Sequence, residues 1–289
     1  MTGAIVSYHP GLAAEVNMLL VSQRPLDTGD RAALAGAAAV LLPQVCRPDL
    51  HDLVRSLGKP HFPRPALQLT LDGKVGNHLL FSRLGLPQPR TLSFEGIGQA
   101  AQAWREGVLA AAGLRPPLVV KGAGGGEGRN VFLARSPEDL ESLEGSLETR
   151  CVYGPPGLVA QELVESKGRD LRVILAGDYQ EAYWRLGRPG EFRNNLSQGG
   201  RVEREDWPEE MAAGLKLARL LQGRAGLDLA GVDVLVDPER GPLLLEINFY
   251  FGRRALGGLE AWRRLQLKAA RGWLAGLGLD PCRVREAQD

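Results

Sequence analysis

The stretch LAGVDVLVDPERGPLLLEINFYF, residues Leu229–Phe251, decides the fold, and the rest of the chain is interpreted around it. It contains two apolar runs separated by a Pro-Glu-Arg-Gly turn, and these runs are Gly231–Asp237 and Pro242–Asn248. Alternating Val and Leu on both sides of a Pro/Gly turn is typical of a β-hairpin. The sequence therefore predicts two antiparallel strands here.

Pairing across this hairpin brings acidic side chains together. If the four turn residues form the loop, Asp237 faces Pro242. Counting back from that pair places Asp233 opposite Glu246, and Asn248 points to the same face. Opposed carboxylates destabilise a hairpin unless they are neutralised, and three oxygen ligands suit Mg²⁺. The alternative is a solvated face on which the acids only maintain solubility.

Length, composition and charge limit the class of protein. The chain has 289 residues, enough for two domains or one elaborated α/β domain, and 44% of them are hydrophobic. The formal net charge of +1 gives no reason to expect nucleic acid or an anionic membrane as a partner. We find neither a membrane-spanning run nor a signal peptide. Three well-separated cysteines favour neither zinc nor disulfides, which predicts a cytoplasmic protein; they are Cys46, Cys151 and Cys282.

The first 70 residues have the pattern of a small parallel α/β unit. Strands are predicted at Ala4–Ser7 and Ala38–Leu42, and an amphipathic helix at Leu50–Leu57. Prolines at 60, 63 and 65 then interrupt the pattern, so we place a domain boundary near residue 70. His9, in the loop after the first strand, is either a substrate contact beyond the strand end or an ordinary turn residue.

Two lysines draw attention because the chain has six and otherwise uses arginine. Lys74 begins a helix predicted at Asp72–Leu84, at an end where a cation is disfavoured unless an anion binds there. Lys121 ends a strand and is followed by the glycine-rich loop Gly122–Asn130 and the strand Val131–Ala134. The loop is neither a P-loop nor a GxGxxG motif, and its bare backbone predicts a flexible flap over phosphates. The alternatives are a solvated lysine and a hairpin without a ligand.

A second hairpin carries an unusual number of polar side chains. Its strands are predicted at Asp170–Ala176 and Tyr179–Leu186, around a Gly-Asp turn. Pairing back from that turn puts four polar side chains on one face, namely Asp170, Arg172, Tyr183 and Arg185. Ion pairing explains such a face, but one wall of an anion site fits it better. A strand precedes the hairpin and an aperiodic binding loop follows it, at Leu158–Val164 and residues 192–200.

As a set, these residues resemble the ATP-grasp ligases, most of all the RimK-like branch, with glutathione-synthetase-type enzymes nearby. The similarity rests on Lys74, Lys121 with its glycine loop, Gln161-Glu162, Asp170-x-Arg172, Arg193-Asn194-Asn195, Gly231-Val232-Asp233 and Glu246-x-Asn248. The resemblance implies a mixed α/β (α+β) ATP-grasp fold in three parts. These are an N-terminal parallel α/β pre-domain (1–70), a lid subdomain with the glycine flap (71–157) and a C-terminal antiparallel-sheet subdomain with the metal site (158–289).

The resemblance also implies a nucleotide site. The two lysines hold the phosphates of ATP and the flap covers them, Glu162 and Leu163 line the adenine pocket, and Asp170 reaches the ribose. The full implied ATP-binding set is Lys74, Lys121, Gly124, Gly125, Gly126, Gln161, Glu162, Leu163, Asp170, Arg193 and Asn195.

The remaining implied roles concern metal and catalysis. Arg172 and Arg185 stabilise the transferring phosphoryl group or an acyl-phosphate. Two Mg²⁺ ions, with Mn²⁺ as the alternative metal, are held by Asp233, Glu246 and Asn248, of which Glu246 bridges the two.

The implied reaction is ATP-dependent amide formation. A carboxylate attacks the γ-phosphate to give an acyl-phosphate, and an amine then displaces phosphate. The expected substrates are small-molecule or peptide carboxylates and amines, and a homo-oligomer is left open. Two alternatives are kept: an ATP-grasp phosphotransferase acting on a small hydroxyl substrate, and a non-catalytic nucleotide-binding module.

One segment departs from the RimK-like pattern. Where that branch has Ser-Pro-Gly after the metal strand, this chain has an aromatic run, Phe249–Phe251, followed by Gly252, Arg253 and Arg254. Two arginines beside aromatic rings suit an anionic substrate with a flat or apolar part. The alternative is that the aromatic rings fill the core and the arginines are solvated.

Overall fold

The computed structural model describes residues 3–18, 24–125, 130–187 and 200–287. The N-terminal part is a parallel four-stranded sheet in the order β3-β1-β4-β5, as the sequence predicts. Its elements are β1 (Ala4–Ser7), β2 (Leu12–Ala13), β3 (Val16–Asn17), α1 (Thr28–Ala35), β4 (Ala37–Leu41), α2 (Pro48–Ser56) and β5 (His61–Phe62).

The central part is an antiparallel sheet in the order β6-β9-β7-β8, with short helices around it. The division predicted at residues 157 and 158 falls just before β9, yet β9 pairs with β6 and β7. The domain limits therefore stay a prediction. The elements are α3 (Ala66–Leu71), α4 (Gly73–Arg83), β6 (Thr91–Phe94), α5 (Ile97–Arg105), α6 (Val108–Ala111), β7 (Leu118–Gly122), β8 (Val131–Ala134), α7 (Pro137–Glu141) and β9 (Leu158–Glu162).

The C-terminal part is a five-stranded antiparallel sheet in the order β12-β11-β10-β13-β14. Both predicted hairpins are present in it. Its elements are β10 (Arg169–Ala176), β11 (Tyr179–Leu186), β12 (Arg201–Glu203), α8 (Pro208–Ala225), β13 (Leu229–Asp237), β14 (Gly241–Asn248), α9 (Leu259–Gly276) and β15 (Arg285–Glu286), the last pairing with β2.

The C-terminal sheet is covered on both faces. Odd-numbered residues of β10 pack with α4 and α8, whereas Ile174 and Ala176 pack with α9 and the N-terminal sheet. Trp262 on α9 is fully buried in that second core. Because side chains alternate along a strand, the polar residues Asp170 and Arg172 lie on the α9 side. This face carries the candidate site.

In the β13–β14 hairpin one predicted pair is confirmed and another is corrected. Asp233 does face Glu246, but Asp237 faces Gly241 rather than Pro242, because a β-bulge after Asp233 shifts the register by one residue. A bulge adds one unpaired residue to one strand. The four-residue loop assumed from the sequence was wrong, and the bulge restores the pairing of the two acids.

Two element ends also differ from prediction. The strand predicted at Leu158–Val164 ends at Glu162. The helix predicted at Asp72–Leu84 spans Gly73–Arg83, with Asp72 at its N-cap. None of the helices in the described ranges is both long and apolar enough to cross a membrane.

Candidate active site

Four buried charged side chains meet on the α9 side of β10, β11 and β13; we call Asp170, Arg172, Arg185 and Asp233 the arginine–aspartate cluster. Arg185 Nε donates to Asp170 Oδ1 at 2.6 Å, and its Nη2 lies 3.0 Å from Asp233 Oδ2. Arg172 Nη2 donates to Asp233 Oδ2 at 3.0 Å, and its Nε donates to the other oxygen. Burial raises the pKa of Asp233, but Arg172 and Arg185 outweigh burial and hold that pKa below its usual range. The cluster has two positive and two negative charges and is neutral as a unit.

The three predicted metal ligands lie together on this face. Asn248 Nδ2 donates to Asp233 Oδ2 at 3.2 Å, and Glu246 stands directly across from Asp233. Glu246 keeps 27% of its side chain exposed, and its Oε1 lies 3.6 Å from Lys74 Nζ. The Glu246 carboxylate and the Asn248 amide oxygen are hard donors that fit Mg²⁺.

Asp233 fits a metal less directly than Glu246 does. Its oxygens already accept from Arg172, Arg185 and Asn248. Within the part of the chain that the structure describes, no group of three or more His, Cys, Asp or Glu side chains is disposed to hold a metal ion. Asp233 could therefore join a metal only by giving up guanidinium contacts.

Two buried lysines, Lys74 and Lys121, form the opposite side of the site, and we call them the lysine pair. Lys74 stands in the first turn of α4, and its Nζ donates to the carbonyl oxygens of Gly125 and Gly124 at 2.6 and 3.3 Å. Lys121 Nζ donates to Gln161 Oε1 at 2.6 Å. Burial lowers the pKa of Lys121 to about 8, against the opposing effect of Glu246. Both ammonium groups thus hydrogen bond to neutral oxygens.

The base of the glycine loop is fixed. Asn130 Nδ2 donates to the carbonyls of Gly124 and Glu148, at 2.9 and 2.7 Å. A Cβ added at Gly122 would lie 2.1 Å from the Glu148 carbonyl oxygen, so glycine is needed there for close packing. The predicted flap is anchored on both sides, and its tip, residues 126–129 with Gly126, lies outside the described residues.

A small pocket lies between α4, β6, β7 and β9. Three residues of the predicted nucleotide site line it, namely Lys74, Lys121 and Gln161. Sequence reasoning missed His78, Gln88 and Thr91, which also line it. No motif carries these three; the position of His78 one turn after Lys74 on α4 was the available signal.

Glu162 and Leu163, predicted to line the adenine pocket, have other surroundings in the structure: Glu162 forms hydrogen bonds with arginines, and Leu163 is partly exposed. The Glu162 carboxylate accepts from the Arg90 backbone at 2.7 Å and from the Arg240 guanidinium at 2.6 Å. It therefore joins β9 to the turn of the metal hairpin. Leu163 is 41% exposed. The adenine role of these two residues, and the ribose role of Asp170, stay predictions.

The segment that follows β14, residues 249–254, lies partly in the hydrophobic core. Phe249 and Phe251 are buried, whereas Tyr250 is 73% exposed. Arg253 lies over the Tyr250 ring, with its Cζ 5.5 Å from the ring centroid. Arg254 is exposed at the start of a short 3-10 turn. His9 is buried, and Arg253 acts electrostatically on it. Two further predicted ATP-binding residues lie outside the described residues, namely Arg193 and Asn195.

Comparison with known proteins places this geometry in a family. The chain matches the RimK-like ATP-grasp domain over residues 73–257, more than half of its length, and it belongs to that family. A probable alpha-L-glutamate ligase of Aeromonas salmonicida is 38% identical over 149 residues, which cover 50% of this chain and 46% of that protein. A ribosomal protein bS6–L-glutamate ligase of Escherichia fergusonii is 38% identical over 134 residues, covering 46% and 42%. The chain spans about half the length of these curated relatives.

Solved structures agree on the fold. A RimK domain ATP-grasp protein from Sphaerobacter thermophilus has a TM-score of 0.54 and 18% identity, over 81% of this chain and 80% of that one. The VanG D-Ala:D-Ser ligase from Enterococcus faecalis has a TM-score of 0.52 and 13% identity, over 74% and 64%. The predicted ATP-grasp fold and the resemblance to the RimK-like branch are both confirmed.

Proposed function

We propose that this protein is an ATP- and Mg²⁺-dependent carboxylate–amine ligase that acts through an acyl-phosphate and releases ADP and phosphate. The observation that carries the proposal is the buried lysine pair beside the glycine loop, with Glu246 3.6 Å from Lys74. Lys121 is a buried cation whose side-chain hydrogen-bond partner, Gln161, is neutral, which favours an anionic ligand such as a polyphosphate. Family membership and relatives named as glutamate ligases support the same reaction class.

The residues would divide the work by position. The lysine pair would bind the ATP phosphates and orient the γ-phosphate. Arg172 and Arg185 would neutralise charge on the transferring group, because such transfer depends mainly on positioning and electrostatics. Glu246 and Asn248 would hold Mg²⁺, which when bound supplies further charge neutralisation at the phosphate oxygens.

Two bonds form and two break in the proposed sequence. A substrate carboxylate oxygen attacks the γ-phosphorus, and the bond to ADP breaks. The amine nitrogen then attacks the acyl carbon, the bond to phosphate breaks, and the nitrogen loses a proton. We propose small-molecule or peptide carboxylates and amines as substrates, with an acidic amino acid as the first amine to try because of the relatives' names. The reaction would take place in the cytoplasm.

The test measures ADP and free phosphate with pooled carboxylic acids and peptides, with and without pooled amino acids and polyamines. The proposal predicts that release of both products requires an added amine. Replacing the amine by hydroxylamine should then give a hydroxamate of the carboxylate substrate. Formation of ADP with a phosphorylated hydroxyl product and no free phosphate would identify a phosphotransferase instead. No turnover in any pool, together with nucleotide binding, would favour the binding module.

A further inference from the structure

The loops after β1 and β4 meet the segment that follows the metal strand. Gln44, after β4, donates from Nε2 to the Phe249 carbonyl at 2.8 Å. Its Oε1 accepts from Trp262 Nε1 at 2.9 Å and from Gln266 Nε2 at 3.2 Å, both on α9. Ligands of open α/β sheets bind beyond the carboxyl ends of the strands. The N-terminal sheet therefore presents its ligand edge to residues 249–253 and to α9.

His9 lies at this edge in a fixed orientation. The residue is 6% exposed, and its Nδ1 accepts a hydrogen bond from the backbone N–H of Gly11 at 3.0 Å. The ring proton of the neutral form is therefore on Nε2, which is left as a donor. Burial lowers the pKa of His9 to about 4, and the charges of Arg263 and Arg253 add to that effect. His9 is a neutral hydrogen-bond donor near pH 7.

Two guanidinium groups from different elements act electrostatically on His9, those of Arg253 and Arg263. Arg263, on α9, packs against the loop after β1. The Cγ and Nε atoms of Arg263 lie 3.3 Å from the position that a Cβ on Gly11 would occupy. Arg253 comes from the segment after the metal strand and stacks on Tyr250. Across the ranges that the structure describes, no carboxylate lies within ion-pair distance of Arg253. The surroundings of His9 are therefore rich in hydrogen-bond donors and in positive charge.

A pair of aromatic rings connects this place with the arginine–aspartate cluster. The Phe251 ring centroid lies 5.9 Å from Arg172 Cζ on one side and 5.1 Å from the Trp262 ring on the other. Trp262 directly precedes Arg263 in α9. Both rings are buried, so they hold the segment that carries Arg253 against α9, which carries Arg263.

We propose that His9, Arg253 and Arg263 form an anion subsite that binds a second carboxylate of the substrate. A carboxylate presents two coplanar oxygens that match a guanidinium fork, and the His9 Nε2–H adds a third donor. The proposed ligase needs one substrate carboxylate at the γ-phosphate, so a further carboxylate in this subsite makes that substrate a small dicarboxylate. This last step rests on the proposed function; anion binding itself does not.

The experiment is calorimetric titration of the full chain with succinate, and with its uncharged diamide as the matched ligand. It is done with and without Mg²⁺ and a non-hydrolysable ATP analogue. We expect succinate to bind and the diamide not to bind. Arg253→Gln and Arg263→Ala should each weaken succinate binding about ten- to a hundredfold, the effect of one lost charge-assisted contact. Binding of the ATP analogue should change by less than about twofold.

The matched control is Arg264→Ala, which removes the exposed arginine next to Arg263. It should leave succinate affinity within about twofold of wild type, as expected for a solvated charge. Arg253→Gln gives an independent answer if Arg263→Ala fails to fold. Absence of succinate binding by wild type, equal weakening by Arg264→Ala, or tighter binding of inorganic phosphate than of succinate would each overturn the dicarboxylate subsite.

The titration tests the anion subsite and the turnover assay tests the ligase proposal, so either proposal can be contradicted without the other. If the subsite binds succinate but no amine-dependent ADP release is found in any pool, the ligase proposal is wrong and the anion subsite stands. If ADP release requires an amine but succinate binding does not depend on Arg253 or Arg263, the subsite is wrong and the ligase proposal stands.

Discussion

Two halves of the candidate site, one on the C-terminal sheet and one at the glycine loop, differ in how their charges are paired. In the arginine–aspartate cluster, two guanidiniums meet two carboxylates, with Arg185 Nε 2.6 Å from Asp170 Oδ1. In the lysine pair, the ammonium groups donate to backbone carbonyls and to Gln161. Glu246 lies within ion-pair distance of Lys74, with its Oε1 3.6 Å from Lys74 Nζ.

The difference follows from the cost of burying charge. A buried ion is tolerated when an opposite charge and hydrogen bonds replace water. The cluster meets this condition by itself, so its arginines are held in place before any ligand arrives. Lys121 does not meet it, and burial lowers its pKa to about 8. A polyphosphate would supply the missing negative charge, so the lysine pair should govern binding and the cluster should govern fold and turnover.

The largest expected effect is on turnover. Glu246→Ala should lower amine-dependent ADP release at saturating ATP and Mg²⁺ at least about a hundredfold, because it removes the partly exposed carboxylate that fits the metal. The control is Glu239→Ala in the exposed turn of the same hairpin, which should leave turnover unchanged. Near-normal turnover in Glu246→Ala would remove the metal role.

The next effect is on stability. Asp233→Ala should lower the free energy of unfolding by about 3–5 kcal/mol, because it leaves the buried Arg172 and Arg185 without their shared carboxylate. On the same strand, Asp237 pairs with the partly exposed Arg240, and Asp237→Ala should lower it by only about 1 kcal/mol. Urea unfolding measures both variants. Equal losses of unfolding free energy would show that the arginine–aspartate cluster contributes no more to stability than a partly exposed ion pair.

A pH profile tests the lysine pair. Lys121 is charged below its pKa of about 8 and loses that charge as the pH rises through it. The kcat/KM for ATP, which reports the free enzyme, should therefore fall above pH 8. The kcat should fall less, since bound phosphates would raise the pKa of Lys121. Steady-state kinetics should show that Lys121→Met lacks this pH-dependent fall; a flat wild-type profile to pH 10 would contradict the assignment.

The smallest effect concerns Glu162. Its partners Arg90 and Arg240 are partly exposed, so Glu162→Gln should lower the free energy of unfolding by about 1 kcal/mol or less. If its carboxylate only joins β9 to the turn, the KM for ATP should change by less than about twofold. A much larger rise in KM, with unchanged stability, would instead restore the predicted role at the adenine.

The sequence was sufficient for residues whose roles depend on local pairing. The β10–β11 hairpin could be counted from its turn, and Arg172 opposite Tyr183 and Asp170 opposite Arg185 are both confirmed. The pairing of Asp233 with Glu246 was reached through a wrong loop length and is correct because of a bulge. A bulge leaves no pattern in a run of leucines, so the sequence could not predict it.

Contacts between the two hairpins could not be predicted in the same way. Strand β10 pairs with β13 only through the tertiary arrangement, because paired residues such as Ile174 and Gly231 lie far apart in the chain. This pairing puts Arg172 beside Asp233. Sequence patterns therefore predicted an anion wall and a metal set, but they did not predict that the charges of these two sets neutralise each other. His78 and Gln88 were missed for the same reason, because their shared pocket depends on how α4 packs against the central sheet.

The most direct test is the unfolding free energy of Lys121→Met with and without MgADP. Removing a buried charge that has no close acid should leave stability without nucleotide equal to wild type or higher. The gain in stability on adding MgADP should fall by about 1.4 kcal/mol or more, which corresponds to at least tenfold weaker binding. A variant that is less stable without nucleotide yet gains as much as wild type from MgADP would contradict the account, because Lys121 would then serve the fold rather than the phosphates.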